Sequence, residues 1–365
     1  MKNKKTILKA LIAVVLVAVL GAGAYATAFI MSGIHYDVDA VESVGTTVEI
    51  VSEDIDSVTI KKSDDSNFKV VMFTDTHLNG KIKQDKMTVE HIIENIEREK
   101  PDLVIFGGDN ISSALSYVRT TEFCELMENL GVYWAAVLGN HDGEGILTYS
   151  KEQLAELYSS YDHCLVKPGV DDIDGYGNYT VNILNSDGSI KEVFFFMDSG
   201  EYASEEEKAM YEVTGEGTYD GVKESQVQWY KDKHDSLTEE FGKFKSVTVI
   251  HIPPFQSRNA LEREDEYVYG TRNEGICEAG YDSGLFNALK DKGSCQAVYY
   301  GHDHVNDFGI IYDGILLSYI QSSGYGSYNM GTNGFPENEW LQGCTILDIK
   351  ADGSYYASRH LNHAE

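Results

Sequence analysis

Residues 70–77, Val-Val-Met-Phe-Thr-Asp-Thr-His, join an apolar run to a polar end. The apolar run is typical of a buried strand. A helix should follow it, because apolar residues recur there at positions i, i+3, i+4 and i+7: Val89, Ile92, Ile93 and Ile96. A buried strand that ends in polar side chains and leads into a helix is the basic unit of an α/β sheet.

The same alternation continues along the chain. Leu103–Phe106 is a second apolar strand, and a helix over 115–130 leads to a third strand over 133–138, which predicts parallel pairing with right-handed crossovers. Two further strands, over 179–184 and 193–197, flank the turn Asp187-Gly188 and predict a hairpin. The remaining predicted elements are helices over 223–237 and 285–289 and strands over 247–250, 297–300, 310–312, 315–320 and 345–349. We therefore expect an α/β fold with mixed strand order.

The first 34 residues have the composition of a targeting segment. Lys2, Lys4, Lys5 and Lys9 precede an uncharged apolar stretch over 10–34. The stretch is long enough to span a bilayer as a helix, but it also contains small-residue sites that resemble signal cleavage sites, so a membrane anchor and a cleaved signal peptide both remain open. Because the basic residues all precede the apolar stretch, we expect the rest of the chain outside the cytoplasmic membrane.

Composition divides the rest of the chain and limits its partners. Residues 35–67 are rich in Asp, Ser, Val and Thr and are predicted to form a stalk with some strand character, and residues 68–365 to form one large domain. The net charge of −30 argues against a nucleic-acid polymer as ligand, and no obligate protein partner is evident. The five cysteines form no C-x-x-C pair, so we interpret them mostly as packed thiols, with one disulfide left open.

Polar residues follow five of the predicted strands, where an open α/β sheet has its binding crevice. They are Asp75-Thr76-His77, Gly107-Gly108-Asp109-Asn110, Gly139-Asn140-His141-Asp142, His251 and Gly301-His302-Asp303-His304. Carboxylates, neutral imidazoles and an amide oxygen are suited to hold two metal ions, which together activate water for in-line attack on a phosphate ester. His251 is the weakest member, because an isolated His after an apolar strand is often a hydrogen-bonded core residue.

In this order the motifs D-x-H, G-D, G-N-H-D, H and G-H-x-H resemble the signature of calcineurin-like metallophosphoesterases, over residues 68 to about 349. The resemblance implies a four-layer α/β/β/α sandwich of two mixed sheets, with residues 68–365 as the catalytic domain. It implies one metal bound by Asp75, His77 and His304, the other by Asn140, His251 and His302, and Asp109 bridging the two. It further implies that His141 protonates the leaving oxygen and that Asp142 orients His141.

The related purple acid phosphatases carry a metal-binding Tyr three residues after the bridging Asp and a Gly in place of the first-motif His. Here those positions are Ser112 and His77, so the tyrosinate-to-iron colour is not expected. The metal pair should be drawn from manganese, iron and zinc.

These observations together predict a dinuclear metal-dependent hydrolase of small phosphate esters. We expect a phosphomonoesterase that acts outside the cytoplasmic membrane. A phosphodiesterase or nucleotide hydrolase with the same site, and a surface-anchored binding protein without turnover, are the alternatives. The Gly- and Tyr-rich stretch over 324–328 is either a loop that contacts substrate or a plain turn.

Overall fold

The computed structural model describes residues 41–64, 66–113, 116–145, 147–213, 218–261, 263, 267–336 and 340–361, together with seven positions between 15 and 24. Apart from those seven positions, the predicted targeting segment lies outside the described residues and stays a prediction. Within the described part of the chain, no helix is both long and apolar enough to cross a membrane.

The described residues contain fourteen strands and seven helices. The strands are β1 Val48–Asp54, β2 Ser57–Lys62, β3 Phe68–Phe73, β4 Leu103–Phe106, β5 Trp134–Ala136, β6 Tyr179–Leu184, β7 Ile190–Phe196, β8 Ser246–Val249, β9 Tyr267–Tyr269, β10 Cys295–Tyr300, β11 Gly309–Tyr312, β12 Ile315–Tyr319, β13 Gly343–Ile349 and β14 Tyr355–Leu361. The helices are α1 Ile82–Glu99, α2 Ser116–Leu130, α3 Lys151–Ser159, α4 Glu205–Met210, α5 Glu224–Phe241, α6 Gln256–Ala260 and α7 Leu285–Lys292.

The strands form two mixed sheets. A nine-stranded sheet has the order β1-β2-β6-β7-β8-β10-β12-β11-β9, and a five-stranded sheet has the order β14-β13-β3-β4-β5. In the five-stranded sheet β3, β4 and β5 run parallel, and β13 pairs antiparallel with β3. In the nine-stranded sheet β7, β8, β10 and β12 run parallel, with antiparallel strands outside them. The predicted α/β class with mixed strand order is confirmed.

Strand β7 shows how the layers are stacked, because neighbouring side chains of a strand point to opposite faces. Phe194 and Phe196 pack in the core that also holds β3, β4 and helix α1. Phe195 packs in a second core with Trp229 and Tyr230 of α5. One face of the nine-stranded sheet therefore meets the five-stranded sheet and the other is covered by helices, as in the expected four-layer sandwich.

Helix α1 illustrates why the apolar spacing predicted helices correctly. Val89, Ile92, Ile93 and Ile96 are all buried on one face. The helix ends at Lys100, which adopts a left-handed conformation with φ 47° and donates its backbone N–H to the carbonyl of Ile96. The predicted strands Leu103–Phe106 and Tyr179–Leu184 agree with β4 and β6 residue for residue.

The interpretation of residues 35–67 as a stalk is wrong for residues 48–62. Strand β2 pairs in parallel with β6, and β1 pairs with β2, so both strands extend the nine-stranded sheet. Val58 and Ile60 are fully buried in the core between the sheets. The alternation in this segment was visible in the sequence, but its polar composition hid the burial of β2, in which no residue is exposed.

The cysteines are free thiols in the structure, and four of them are buried: Cys124, Cys164, Cys295 and Cys344. Cys277 is exposed. The expectation of packed thiols is confirmed for the four buried residues.

Candidate metal centre

The five polar motifs converge where the carboxyl ends of strands from both sheets meet. Strands β3, β4 and β5 of the five-stranded sheet lead into the first three motifs, and β8 and β10 of the nine-stranded sheet lead into the last two. The seven predicted donors are all buried, including both carboxylates, Asp75 and Asp109. Parallel strand ends therefore bring together residues that are more than 200 positions apart in the sequence.

One group of donors contains Asp75, His77, Asp109 and His304, whose ligand atoms lie within 4.8 Å of one another. Nε2 of His77 is 3.0 Å from Nε2 of His304 and 3.5 Å from Oδ2 of Asp109. Nε2 of His304 is 3.4 Å from Oδ1 of Asp75. Two imidazole nitrogens and two carboxylates thus face one common point.

A second group contains Asp109, His251 and His302, again within 4.8 Å. Oδ2 of Asp109, which faces His77 in the first group, is 3.2 Å from Nε2 of His251. Asp109 therefore belongs to both groups, which is the geometry expected of a bridging carboxylate. His251, the least secure residue in the sequence, lies in the centre rather than in the core.

Asn140 is the further ligand that the resemblance implies for the second group. Its side chain is fully buried, yet neither its amide oxygen nor its amide nitrogen has a hydrogen-bond partner among the described residues. The same holds for Nε2 of His302. Burying a polar atom without a partner costs about 1–3 kcal/mol, so these unpartnered atoms are consistent with the metal-ligand roles that the resemblance implies.

Backbone carbonyls fix the orientation of two histidine ligands. Nδ1 of His251 is 2.8 Å from the carbonyl oxygen of Gly107, and Nδ1 of His304 is 2.8 Å from that of Tyr328. A carbonyl only accepts, so each Nδ1 carries a proton and each Nε2 is the ring nitrogen that faces the centre. This is the arrangement by which outer groups set the tautomer of metal-binding histidines.

The ligand loops have an unusual backbone conformation. Four of the predicted ligands have positive φ angles: Asp75 at 53°, His77 at 42°, Asp109 at 53° and His302 at 80°. Residues other than glycine rarely adopt this region, and strained positions of this kind cluster at functional sites because the surrounding structure maintains them. Here that surrounding structure is the pair of sheets from which the loops emerge.

Close approach of the backbone explains the glycines in the motifs. A Cβ on Gly108 would lie 2.5 Å from Nδ1 of His251, and one on Gly139 would overlap the carboxylate of Asp109. Only glycine therefore allows the second and third motifs to lie in contact with ligands of neighbouring motifs.

Burial favours the neutral imidazoles that metal binding needs. It lowers the pKa of His77 and of His302 to about 3. Burial also lowers the pKa of His251, but the adjacent Asp109 carboxylate outweighs it and raises the value to about 9. A metal ion at Nε2 of His251 would therefore compete with a proton.

The residues present fit a pair of metal ions. In the described part of the chain, the two buried carboxylates have only histidines as ion-pair partners. A buried carboxylate without a cationic partner is costly, and bound metal ions would supply the positive charge. The donor set of carboxylate, imidazole and amide suits first-row divalent metals. Asp75, His77 and His304 would hold one ion and Asn140, His251 and His302 the other, with Asp109 between them.

His141 lies at the opening of the centre. Its backbone N–H donates to Oδ1 of Asp109 at 2.8 Å, and its ring is 5.5 Å from that of His77. About a third of its side chain, 36%, is accessible, so it can reach a bound substrate. These contacts place it beside the donors without making it one of them.

The prediction that Asp142 orients His141 is wrong. The Asp142 carboxylate is buried and accepts the backbone N–H groups of four residues: Asp109, Asn110, Ile111 and Gly139. Its role is to tie the second and third motifs together. The carboxylate that contacts His141 is Glu144, whose Oε2 is 2.6 Å from Nδ1.

Two tyrosines contact predicted ligands of the centre and a third stacks on one of the two, and the sequence motifs did not include these residues. Tyr219 meets His302 edge to face, with ring centroids 4.3 Å apart, and Tyr202 stacks on Tyr219 at 5.3 Å. Tyr328 stacks on His304 at 4.1 Å, so the stretch over 324–328 supports a ligand and is not a plain turn. We call Glu144, Tyr202, Tyr219 and Tyr328 the mouth of the centre.

Known proteins with similar sequences carry related names. "Probable inactive purple acid phosphatase 28" of Arabidopsis thaliana is 31% identical over 309 residues, which cover 73% of this chain and 72% of that protein. "Probable inactive purple acid phosphatase 14" of the same plant is 27% identical over 349 residues, which cover 85% of this chain and 82% of that protein. "Phosphatase DCR2" of Saccharomyces cerevisiae is 30% identical over 277 residues, covering 68% of this chain and 46% of that protein.

The family described as calcineurin-like phosphoesterase matches residues 68–306, a range that contains every donor of the centre. The resemblance inferred from the five motifs is thereby confirmed. This chain belongs to the calcineurin-like phosphoesterase family and is a phosphoric ester hydrolase with a centre of the dinuclear type.

Proposed function

We propose that the chain is a phosphomonoesterase that acts on a small phosphorylated substrate outside the cytoplasmic membrane, with two metal ions drawn from manganese, iron and zinc. The observation that carries the proposal is the position of Asp109 in both groups of buried donors. A metal pair bound on either side of that carboxylate would supply an activated water and positive charge against the phosphate oxygens.

The chain itself supplies the proton for the leaving group. Nδ1 of His141 faces Glu144, which leaves Nε2 to give a proton to the oxygen of the ester bond that breaks. Because the backbone N–H of His141 is bound to Asp109, the acid is held at a fixed place relative to both groups of donors. Glu144 acts as a positioning residue for His141 in this proposal.

Two observations support a small monoester as substrate, and a third supports turnover. The related proteins carry the name phosphatase, which favours monoester hydrolysis. The net charge of −30 opposes binding of long polyanions. The word inactive in two of the names describes those relatives, whereas this chain has the complete donor set and a histidine beside it, which supports turnover.

The location outside the membrane rests on the basic residues at 2–9 and the apolar stretch over 10–34. A carboxyl-terminal epitope tag on the full chain tests it. Protease added to intact cells should remove the tag, and tag loss only after lysis would contradict the proposed location.

A comparison of two aryl esters tests the reaction. The full chain, loaded in turn with manganese, zinc or iron, should hydrolyse 4-nitrophenyl phosphate with a higher kcat/KM than bis(4-nitrophenyl) phosphate. The reverse order would identify a diesterase. Metal analysis should find two ions per chain, and bound metal without turnover of either ester would support a binding protein instead.

Two variants test the assigned residues. A chain carrying both Asp109→Asn and His141→Ala should lose activity, whereas His163→Ala should not, because His163 pairs with Glu128 outside the centre. Full activity of the double variant would overturn the mechanism.

A further inference from the structure

Tyr202 and Tyr219 form a rigid pair beside the metal centre. Their rings are stacked, with centroids 5.3 Å apart and planes 22° apart. The two residues also form a β-bridge, flanked by hydrogen bonds from Ala203 N–H to the carbonyl of Thr218 at 3.0 Å and from Asp220 N–H to that of Glu201 at 3.2 Å. The pair is therefore held in place by backbone contacts before any ligand binds.

The pair is attached to a metal ligand through Tyr219. The ring of Tyr219 lies edge to face on His302, with an interplanar angle of 88°, and Tyr219 is partly buried. Tyr202 lies further out, and 46% of its surface is accessible. Its hydroxyl has no hydrogen-bond partner among the described residues, so the ring is held by the stack on Tyr219 and by the β-bridge alone.

Tyr202 lies near the loop that carries the proposed acid, His141. Its neighbour Glu201 approaches that loop, because a Cβ on Gly143 would lie 3.3 Å from Oε1 of Glu201. Burial raises the pKa of the Tyr202 hydroxyl, and the carboxylates of Glu144, Asp109 and Glu201 raise it further. Glu144 is the residue that contacts His141.

Tyr328 differs from Tyr202 although it is also partly accessible. One face of its ring is stacked on His304 with an interplanar angle of only 13°, and its hydroxyl is 3.1 Å from Oε1 of Glu274. Tyr328 is thus engaged in supporting a ligand. Tyr202 has no comparable duty, which leaves its exposed ring for the substrate.

We propose that Tyr202 binds the leaving group of the substrate and that this leaving group is a flat, uncharged ring. The proposal rests on the phosphomonoesterase function proposed above. Offset or edge-to-face contact between two rings contributes about 0.5–1.5 kcal/mol beyond the area that it buries. The carboxylates near Tyr202 repel a leaving group that carries negative charge of its own. The centre would therefore favour neutral aromatic esters over sugar bisphosphates and over esters with a carboxylate.

Benzyl phosphate and cyclohexylmethyl phosphate separate ring flatness from other properties, because both release a primary alcohol of similar size. The full chain should prefer the benzyl ester in kcat/KM by about three- to tenfold, the ratio that corresponds to the ring contact. Tyr202→Leu should bring the ratio close to one, and Tyr202→Phe should keep it. Tyr356→Leu, which removes an exposed ring from β14, is the matched control and should leave the ratio unchanged.

Binding of the corresponding phosphonates gives a second readout that needs no turnover. Titration calorimetry of the metal-loaded chain should show tighter binding of benzylphosphonate than of cyclohexylmethylphosphonate, with the difference lost in Tyr202→Leu. If that variant does not fold, Tyr202→Trp should instead increase the preference for the flat ring. Adding a para carboxylate to benzyl phosphate should lower kcat/KM.

If Tyr202→Leu keeps the benzyl preference in both readouts, the proposed role of Tyr202 is overturned. Hydrolysis by that variant would still support the proposed phosphomonoesterase function. Equal rates for the two esters in the native chain, with equal binding of the phosphonates, would overturn the selection for flat groups. Absence of hydrolysis of both esters would contradict the phosphomonoesterase function, and the phosphonate titration would then decide the role of Tyr202 by itself.

Discussion

The metal centre and its mouth are built in different ways. The donors of the centre are buried, follow strand ends and include four residues with positive φ, so their positions are determined by the two sheets. Three of the four mouth residues, Glu144, Tyr202 and Tyr328, are exposed, and all four lie on loops. The sheets therefore position the donors of the reaction, and the selection of the ester that we propose lies with the loops.

Replacing the shared carboxylate should have the largest effect. Asp109→Asn removes the charge that both metal sites use, so we expect kcat to fall by about a thousandfold or more, equivalent to several kcal/mol of lost stabilisation. Metal analysis of the purified variant should find less than two ions per chain. A variant that kept both ions and full activity would show that Asp109 is not the bridge.

The effect of removing the proposed acid, His141, on kcat should depend on the ester. His141→Ala should lower kcat by about 10²–10⁴-fold for alkyl phosphates, whose leaving oxygen needs a proton. The loss should be much smaller for 4-nitrophenyl phosphate, which leaves readily as an anion. Steady-state kinetics on both esters checks this, and an equal loss on both would argue that His141 binds phosphate rather than giving a proton.

Asp142 should affect stability more than chemistry. Asp142→Ala leaves four backbone N–H groups without their acceptor, so we expect the free energy of unfolding to fall by about 2–4 kcal/mol. Urea unfolding of the metal-free protein measures the change, with the exposed Asp171→Ala as control. A stable variant with a leaving-group dependence like that of His141→Ala would restore Asp142 as the residue that orients His141.

Glu144 should have the smallest effect of the four, because its contact with His141 is partly open to solvent. Glu144→Ala should lower kcat for alkyl phosphates by about fivefold with little change in KM, and Glu144→Gln, which can still accept a hydrogen bond, should recover most of the loss. Equal kcat values in the native chain and both variants would remove Glu144 from the mechanism.

The sequence predicted the fold well wherever both faces of a strand are buried. Apolar runs such as those of β3 and β4 are unambiguous because nearly every side chain lies in the core. Strands β1 and β2 were misinterpreted because β1 is mostly exposed and both strands contain polar residues typical of a linker. Helix α3 was missed although Ser150 and Gln153 form a capping box at its start, a signal that the sequence does contain.

The sequence likewise identified some residues of the site and missed others. All seven predicted donors and His141 could be named because short motifs follow predictable strands. Glu144 could have been found as the only other acid within three residues of His141, but which carboxylate the ring contacts depends on how the loop turns. Tyr202 and Tyr219 could not be found, because their contact depends on two loops whose pairing no sequence spacing records.

Anomalous X-ray diffraction from crystals of the full chain grown with manganese tests the central claim most directly. We predict two peaks about 3.5–4 Å apart on either side of the Asp109 carboxylate. The first should be bound by Asp75, His77 and His304, and the second by Asn140, His251 and His302. A single peak, or a pair of peaks that does not share Asp109, would contradict the account.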